Sequence, residues 1–289
     1  MKNKLVLARN YLIYFVYSIK ARFRVTELPN NGDSSFVVSI ASYPKRDPLL
    51  PAVFEALSRQ TKKPKKWILV LSAEDYPQGL PKHLVKLESL GVEILWVRNN
   101  PYAVKKLVPV IEKYPDLGVV TFDDDLIYGN RVIEKLVSAS REHRDTIIGH
   151  AGKELIRKGT VLNAMFRSPH AANPKTPSIQ VYFLGGSGTF YPANSLDEKV
   201  TNIDAIHRIV PGRGSDMWFW AAAVAKGTRQ YCLNSNRDMS LYFAIPENSA
   251  TKPLDLPGTQ VMEERFQMTV DYFGIRKKLL SELPEQSKK

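Results

Sequence analysis

Asp123, Asp124 and Asp125 stand in a row directly after the apolar residues 119–122, in the stretch VVTFDDDLIYG. On an extended backbone, residues two apart leave the same face, which makes Asp123 and Asp125 a pair and sets Asp124 apart. At the end of a buried strand such a pair can hold one divalent cation. Hard oxygen ligands suit Mn2+ or Mg2+, and an ion of that kind neutralises a diphosphate whose terminal oxygen must depart. The plain alternative is an acidic turn, but three like charges beside a hydrophobic strand repel one another, a cost that a turn need not incur. Phosphatases with an aspartyl nucleophile also use acids two apart. They carry Thr or Val two residues beyond the second acid, where this chain has Ile127, and their motif lies near the start of the domain.

Two further stretches carry chemical potential. Gly185, Gly186, Ser187 and Gly188 form a cluster whose backbone can approach a ligand closely and present N–H groups. It is not a Walker loop, which needs a Lys before its Ser/Thr and a different glycine spacing; here Thr189 follows Gly188 directly. In GSDMWFW, Ser215 and Asp216 open a helical run, and the helix dipole favours an anion there. A plain N-terminal cap is the competing reading of these two residues. Trp218 is a candidate to stack on a sugar ring, whereas Trp220 is assigned to the core.

The elements that must position these residues alternate in type. FVVSI (36–40), WILVL (67–71), VEILWV (92–97) and GVVTF (118–122) read as buried strands between turn signals. Asp47 and Pro48 mark a helix start, a short helix covers 81–90 before Gly91, and another, weakened by Pro109, covers 102–114. Strand and helix in quick alternation imply an α/β fold with a mainly parallel central sheet flanked by helices, where ligands bind beyond the C-terminal strand ends. The second half is more mixed and is expected to form a smaller acceptor-side subregion. The expected organisation is a basic arm (1–26), a nucleotide-binding half (35–129), an acceptor-binding and catalytic half (130–270) and a charged tail (271–289).

The 289 residues are 44% apolar and carry a formal charge of +12. Six basic residues precede the first acid, Glu27, and they flank the apolar segment NYLIYFVYSI (10–19), which is shorter than the roughly 20 residues that span a bilayer. The arm is therefore expected either to lie in the interface of an anionic membrane or to pack as an amphipathic helix. A lone Cys232 excludes an internal disulfide framework and fits a reducing compartment, so the expected location is cytoplasmic and peripheral to the membrane. No zinc-type cysteine cluster, HExxH sequence or Arg/Gly-rich tract is present, and no nucleic-acid partner is expected.

FVVSIASYPKR, YAVKKLVPVIEKYPDLGVVTFDDDLIY, GGSGTFYP and GSDMWFW, in this order over residues 35–245, resemble the nucleotide-sugar glycosyltransferases of the GT-A fold, the bacterial family-2-like ones with a DxD motif. The resemblance implies a nucleotide-sugar donor, UDP-linked by type, and a metal held on Asp123 and Asp125. It places Ser42, Tyr43 and Arg46 at the nucleotide and Glu74 or Asp75 at the base or ribose. It puts Lys105 or Lys106 at the diphosphate, Asp124 at the sugar or in a structural role, and the glycine loop between donor sugar and acceptor. It makes Asp216 the base that activates an acceptor hydroxyl of a glycan or lipid-linked molecule. A late histidine that many such enzymes supply to the metal is missing, His207 being the last in the chain. A nucleotidyltransferase would carry a glycine-rich first loop, and SIASYPKR has no glycine; a catalytically silent membrane scaffold would bind no nucleotide sugar.

Overall fold

The structure is a computed structural model that describes residues 2–24, 27–30, 32–158, 161–162, 176–183, 185–233, 241–246 and 258–285. The basic arm is helix α1 (Lys2–Phe23). It is followed by β1 (Phe36–Ala41), α2 (Leu50–Leu57), β2 (Trp67–Ser72), α3 (Lys82–Ser89), β3 (Val92–Val97), α4 (Val108–Lys113) and β4 (Gly118–Phe122). The second half comprises β5 (Leu126–Tyr128), α5 (Val132–Glu142), β6 (Ile147–Gly149), β7 (Gly152–Glu154), β8 (Arg157–Lys158) and β9 (Val161–Leu162). After these come β10 (Val181–Phe183), β11 (Thr189–Tyr191), α6 (Ile203–Ile209), α7 (Ser215–Lys226), β12 (Gln230–Cys232), β13 (Tyr242–Ala244), α8 (Thr259–Tyr272) and α9 (Arg276–Glu282).

Seven strands form the central sheet in the order β12-β6-β11-β4-β1-β2-β3. All run parallel except β11, which is antiparallel to both β4 and β6. Side-chain alternation divides each strand between two cores. Val37, Ile68, Val70 and Val119 face the side covered by α4, α7 and α8, whereas Val38, Leu69, Val120 and Phe122 face α2, α3 and α5. Register brings the C-terminal strand ends together: Ile40 pairs with Phe122 and Ala41 with Val70. The residues just past those ends, Ser42 and Asp123, therefore emerge at one edge.

Several local expectations change. Asp47 does not cap a helix with its side chain; a 3-10 turn (Asp47–Leu49) precedes α2, and the Asp47 carboxylate instead meets His83 Nε2 at 2.8 Å and accepts from Tyr76 Oη at 3.2 Å. The helix expected over 102–114 is split at Leu107 into a 3-10 turn (Tyr102–Lys106) and α4, because Pro109 has no N–H to donate and suits the first turn of a new helix. Helix α7 begins at Ser215 after Gly214, with no side-chain cap from Ser215. The stretch 271–285, read as part of a charged tail, contributes Phe273, Ile275, Leu279 and Leu283 to the core beside α7; Lys288 and Lys289 lie outside the described residues.

Candidate functional site at the C-terminal edge of the sheet

Strand β4 stops at Phe122, so the three acids are not an extended continuation of it. Asp124 and Asp125 occupy a turn, and β5 starts at Leu126. This turn is fixed from outside by Tyr128, whose hydroxyl accepts from the Asp123 N–H at 2.8 Å and donates to the Gly186 carbonyl at 2.7 Å. The same-face rule consequently does not govern the three side chains. Asp123 accepts from Lys106 Nζ at 2.8 Å, while Arg46 donates to Asp124 at 3.2 Å and to Asp125 at 2.6 Å through one nitrogen, Nη1. Asp124 is buried and also accepts from Ser42 Oγ at 2.7 Å. Its carboxylate is thus occupied by Ser42 and Arg46, whereas the Asp123 and Asp125 side chains are 34% and 23% exposed.

Burial pushes the Asp125 carboxyl up to about 6, Asp123 adds to the rise, and Arg46 only partly offsets it. Asp124 is raised by burial as well, against the pull of Arg46 and Ser42. Lys106 is buried, which lowers its affinity for a proton, yet Asp123 and then Asp216 hold it above the ordinary lysine value, so it stays cationic.

The glycine cluster joins this turn to Asp216. Gly185, Gly186 and Ser187 make a 3-10 turn between β10 and β11, and the Gly185 N–H donates to Asp216 Oδ2 at 3.1 Å. A Cβ on Gly186 would stand 2.7 Å from Asp123 Oδ2, and one on Gly185 would collide with Asp216 Oδ1. A side chain at either position would push an acid away, because two acids approach the backbone from either side. Asp216 lies in the first turn of α7. It lines a void of only about 10 Å3 together with Phe183, Tyr191, Phe219 and Trp220. Burial against this wall raises its carboxyl above the aspartate range, Lys106 opposes the rise, and Asp123 adds to it.

On the flank, Glu74 accepts from Ser72 Oγ at 2.5 Å and from the Asn99 N–H at 2.8 Å. Asp75 accepts from Asn100 Nδ2 at 3.2 Å and pairs with buried Lys105 at 3.7 Å. Thus Lys105 belongs to the β2–β3 loops and Lys106 to the acid turn, although they are neighbours in sequence. Tyr43 is half-buried beside Arg46; burial raises its phenol, with Arg46 opposing. Ser42, Arg46, Lys106, Asp123, Asp125, Gly185, Gly186 and Asp216 are brought together.

Trp218 corrects the expectation of a sugar platform. Its side chain is fully buried, donates Nε1–H to the Val200 carbonyl at 2.9 Å, stacks on Tyr272 and meets Phe273 edge-on. No ring face is left for a sugar. His207 faces the Asn100 carbonyl at 3.1 Å and the Tyr102 ring, so it is committed away from the acid turn. Among the described residues no group of three or more His, Cys, Asp or Glu side chains forms a ready metal cluster. Tyr128 was missed because a tyrosine after an apolar pair reads as core; its signal was its place three residues beyond the last acid.

No protein-family model matches this sequence, and neither does any curated protein. Solved structures do resemble it. A crystal structure of S. aureus TarS 1-349 in complex with UDP-GlcNAc aligns with a TM-score of 0.50 and 14% identity, over 84% of this chain and 66% of that one. This chain has a GT-A fold. TarS 1-349 in complex with UDP aligns at a TM-score of 0.49 and 14% identity, over 86% and 70% of the two chains. This chain thus spans just under two thirds of the TarS chain in the first alignment, and at that identity the GT-A likeness is one of architecture.

Proposed function

We propose that this protein is a glycosyltransferase that moves a sugar from a nucleotide diphosphate sugar to a hydroxyl of a glycan or lipid-linked acceptor, with inversion. The observation that supports it is the gathering of Lys106, Asp123 and Asp216 around one glycine turn, with Asp125 in the adjoining acid turn, at the C-terminal edge of a GT-A sheet. A UDP-linked sugar is the first donor to test, since the TarS structure was solved with UDP-GlcNAc. Asp216 takes the proton of the acceptor hydroxyl as that oxygen bonds to sugar C1. The bond from C1 to the diphosphate oxygen breaks, and its electron pair leaves with the diphosphate. A carboxylate raised by burial is a stronger base than a solvated one. Lys106 and Arg46 oppose the charge that develops on the departing group.

The two open carboxylates fit a hard divalent cation in donor chemistry, and the charge of Asp123 adds to the cost of ionising Asp125, which a cation would relieve. Asp123 and Asp125 would hold Mn2+ or Mg2+, which would supply further neutralisation of the diphosphate.

The test pairs a melting-temperature panel of nucleotide sugars, with and without Mn2+, with turnover by the wild type and Asp216→Asn. A true donor at about 100 times its Kd stabilises the protein by about 2.7 kcal/mol. Asp216→Asn should keep that stabilisation and lose about 100-fold to 10,000-fold in turnover. Undiminished turnover, or retained configuration by anomeric NMR, removes the base from Asp216. Absence of stabilisation by every nucleotide sugar removes the donor.

A further inference from the structure

Helix α1 has two apolar faces, and only one is used by the fold. Ile13, Tyr14 and Tyr17 pack inward on the core that α2 shares. Asn10 Nδ2 donates to the Ala244 carbonyl of β13 at 2.9 Å, the Arg9 guanidinium lies 5.1 Å from the Phe243 ring centre, and Lys86 Nζ donates to the Ala21 and Arg22 carbonyls at 3.1 and 2.9 Å. The helix is therefore fixed to the body at its middle and at its C-terminal end.

The outer face carries Leu5, Leu12, Phe15, Val16, Ile19 and Phe23, with Leu5, Leu12, Phe15 and Phe23 between 61% and 77% exposed. At about 100° per residue these six fall within an arc of about 100° along the whole helix. The same rotation puts Lys4 and Arg22 along one border of the stripe and Arg9 and Lys20 along the other, and the helix contains no acid. No described helix is long and apolar enough to cross a membrane. A second copy of this stripe is a poor cover, because face-to-face packing would oppose two rows of cations. An anionic surface complements both features at once.

We propose that α1 lies in the plane of an anionic lipid bilayer, with this stripe at the acyl boundary and its basic borders at the head groups, while the inner face stays docked on the protein. The inference is independent of the reaction catalysed. It also fixes an orientation: β13 pairs with β5, aligning Ala244 with Leu126, and the Ile245 N–H donates to the Asp125 carbonyl at 2.9 Å. One strand pair thus separates the membrane helix from the acid turn.

The test is pelleting of the full chain with phosphatidylcholine vesicles and with vesicles containing roughly 30% phosphatidylglycerol. The bound fraction should be about tenfold higher on the anionic vesicles and fall severalfold as salt rises from about 0.1 to 0.5 M. A Leu12→Ser, Phe15→Ser, Phe23→Ser variant should lose binding about tenfold, and Lys4→Gln with Lys20→Gln severalfold, both with unchanged melting temperature. Failure of the full chain to bind anionic vesicles, equal binding to both vesicle types, or wild-type binding by the apolar variant overturns the proposal. So does a lipid-free dimer that the apolar variant dissociates, because the occupant is then a second copy.

Discussion

Arg46 shows how a single side chain alters the meaning of three adjacent acids. Read as a strand, Asp123 and Asp125 form a pair; folded into a turn, Asp124 and Asp125 share one guanidinium nitrogen and Asp123 goes to Lys106. The side-chain types were legible in the sequence, and so was their convergence on one edge. Their partition was not, because it depends on Tyr128 bridging from five residues beyond Asp123 to Gly186. Trp218 and Asp216, two residues apart on one helix, answer to different demands. Trp218→Ala should cost about 3–5 kcal/mol in denaturant unfolding, as a large core truncation does, while the folded protein keeps its donor affinity within about twofold. A sugar-stacking role would give the reverse: lost affinity and intact stability.

Among the elements, the glycine turn shows most directly how backbone shape sets chemistry. The atom nearest a Cβ on Gly186 is the far end of the Asp123 side chain, which can swing aside. Gly186→Ala should therefore fold with a stability loss of only about 1 kcal/mol and yet lose at least about tenfold in turnover, because the carboxylate is re-aimed. Equal loss of melting temperature and turnover would mean that the glycine serves folding alone. At the far edge of the sheet, Glu93 of β3 accepts from Lys66 at 2.7 Å and from the Tyr114 hydroxyl at 2.7 Å, and pairs with Lys113 at 2.9 Å. Burial pushes its carboxyl up, and these partners more than offset that, holding it at about 2. Because the folded value lies below the unfolded one, the stabilisation is full above about 4.5 and is lost as pH falls towards 2. Glu93→Gln should lower stability at pH 7 by at most about 1 kcal/mol, as expected for a partly solvated network, and flatten the acid limb of the stability profile.

At the scale of the molecule, the four parallel strands of the first half were readable because each is a largely apolar stretch of five or six residues between turn signals. The described strands of the second half have two or three residues each, too few for any periodicity to register, and the places of β6, β11 and β12 in the central sheet come from pairing between residues far apart in sequence, such as Thr189 with Gly149 and Gln230 with Ile147. The resemblance to GT-A enzymes supplied the architecture there; the packing of α8 and α9 on α7 was legible from neither. The antiparallel strand β11 carries a consequence for synthesis. Strands β1 to β4 are complete by residue 122, but the open side of β4 is not covered until β11, at residues 189–191, has left the ribosome. During that interval Val119 and Val120 lie along an unpaired hydrophobic strand edge, the kind of template on which chains aggregate. A chain stopped at residue 180 should therefore go largely to the insoluble fraction, and one stopped at residue 233, which can close all seven strands, should stay soluble in larger part, as centrifugation of the two products would show. The order of strands in space thus makes the nascent chain most vulnerable just after its acid turn has been made.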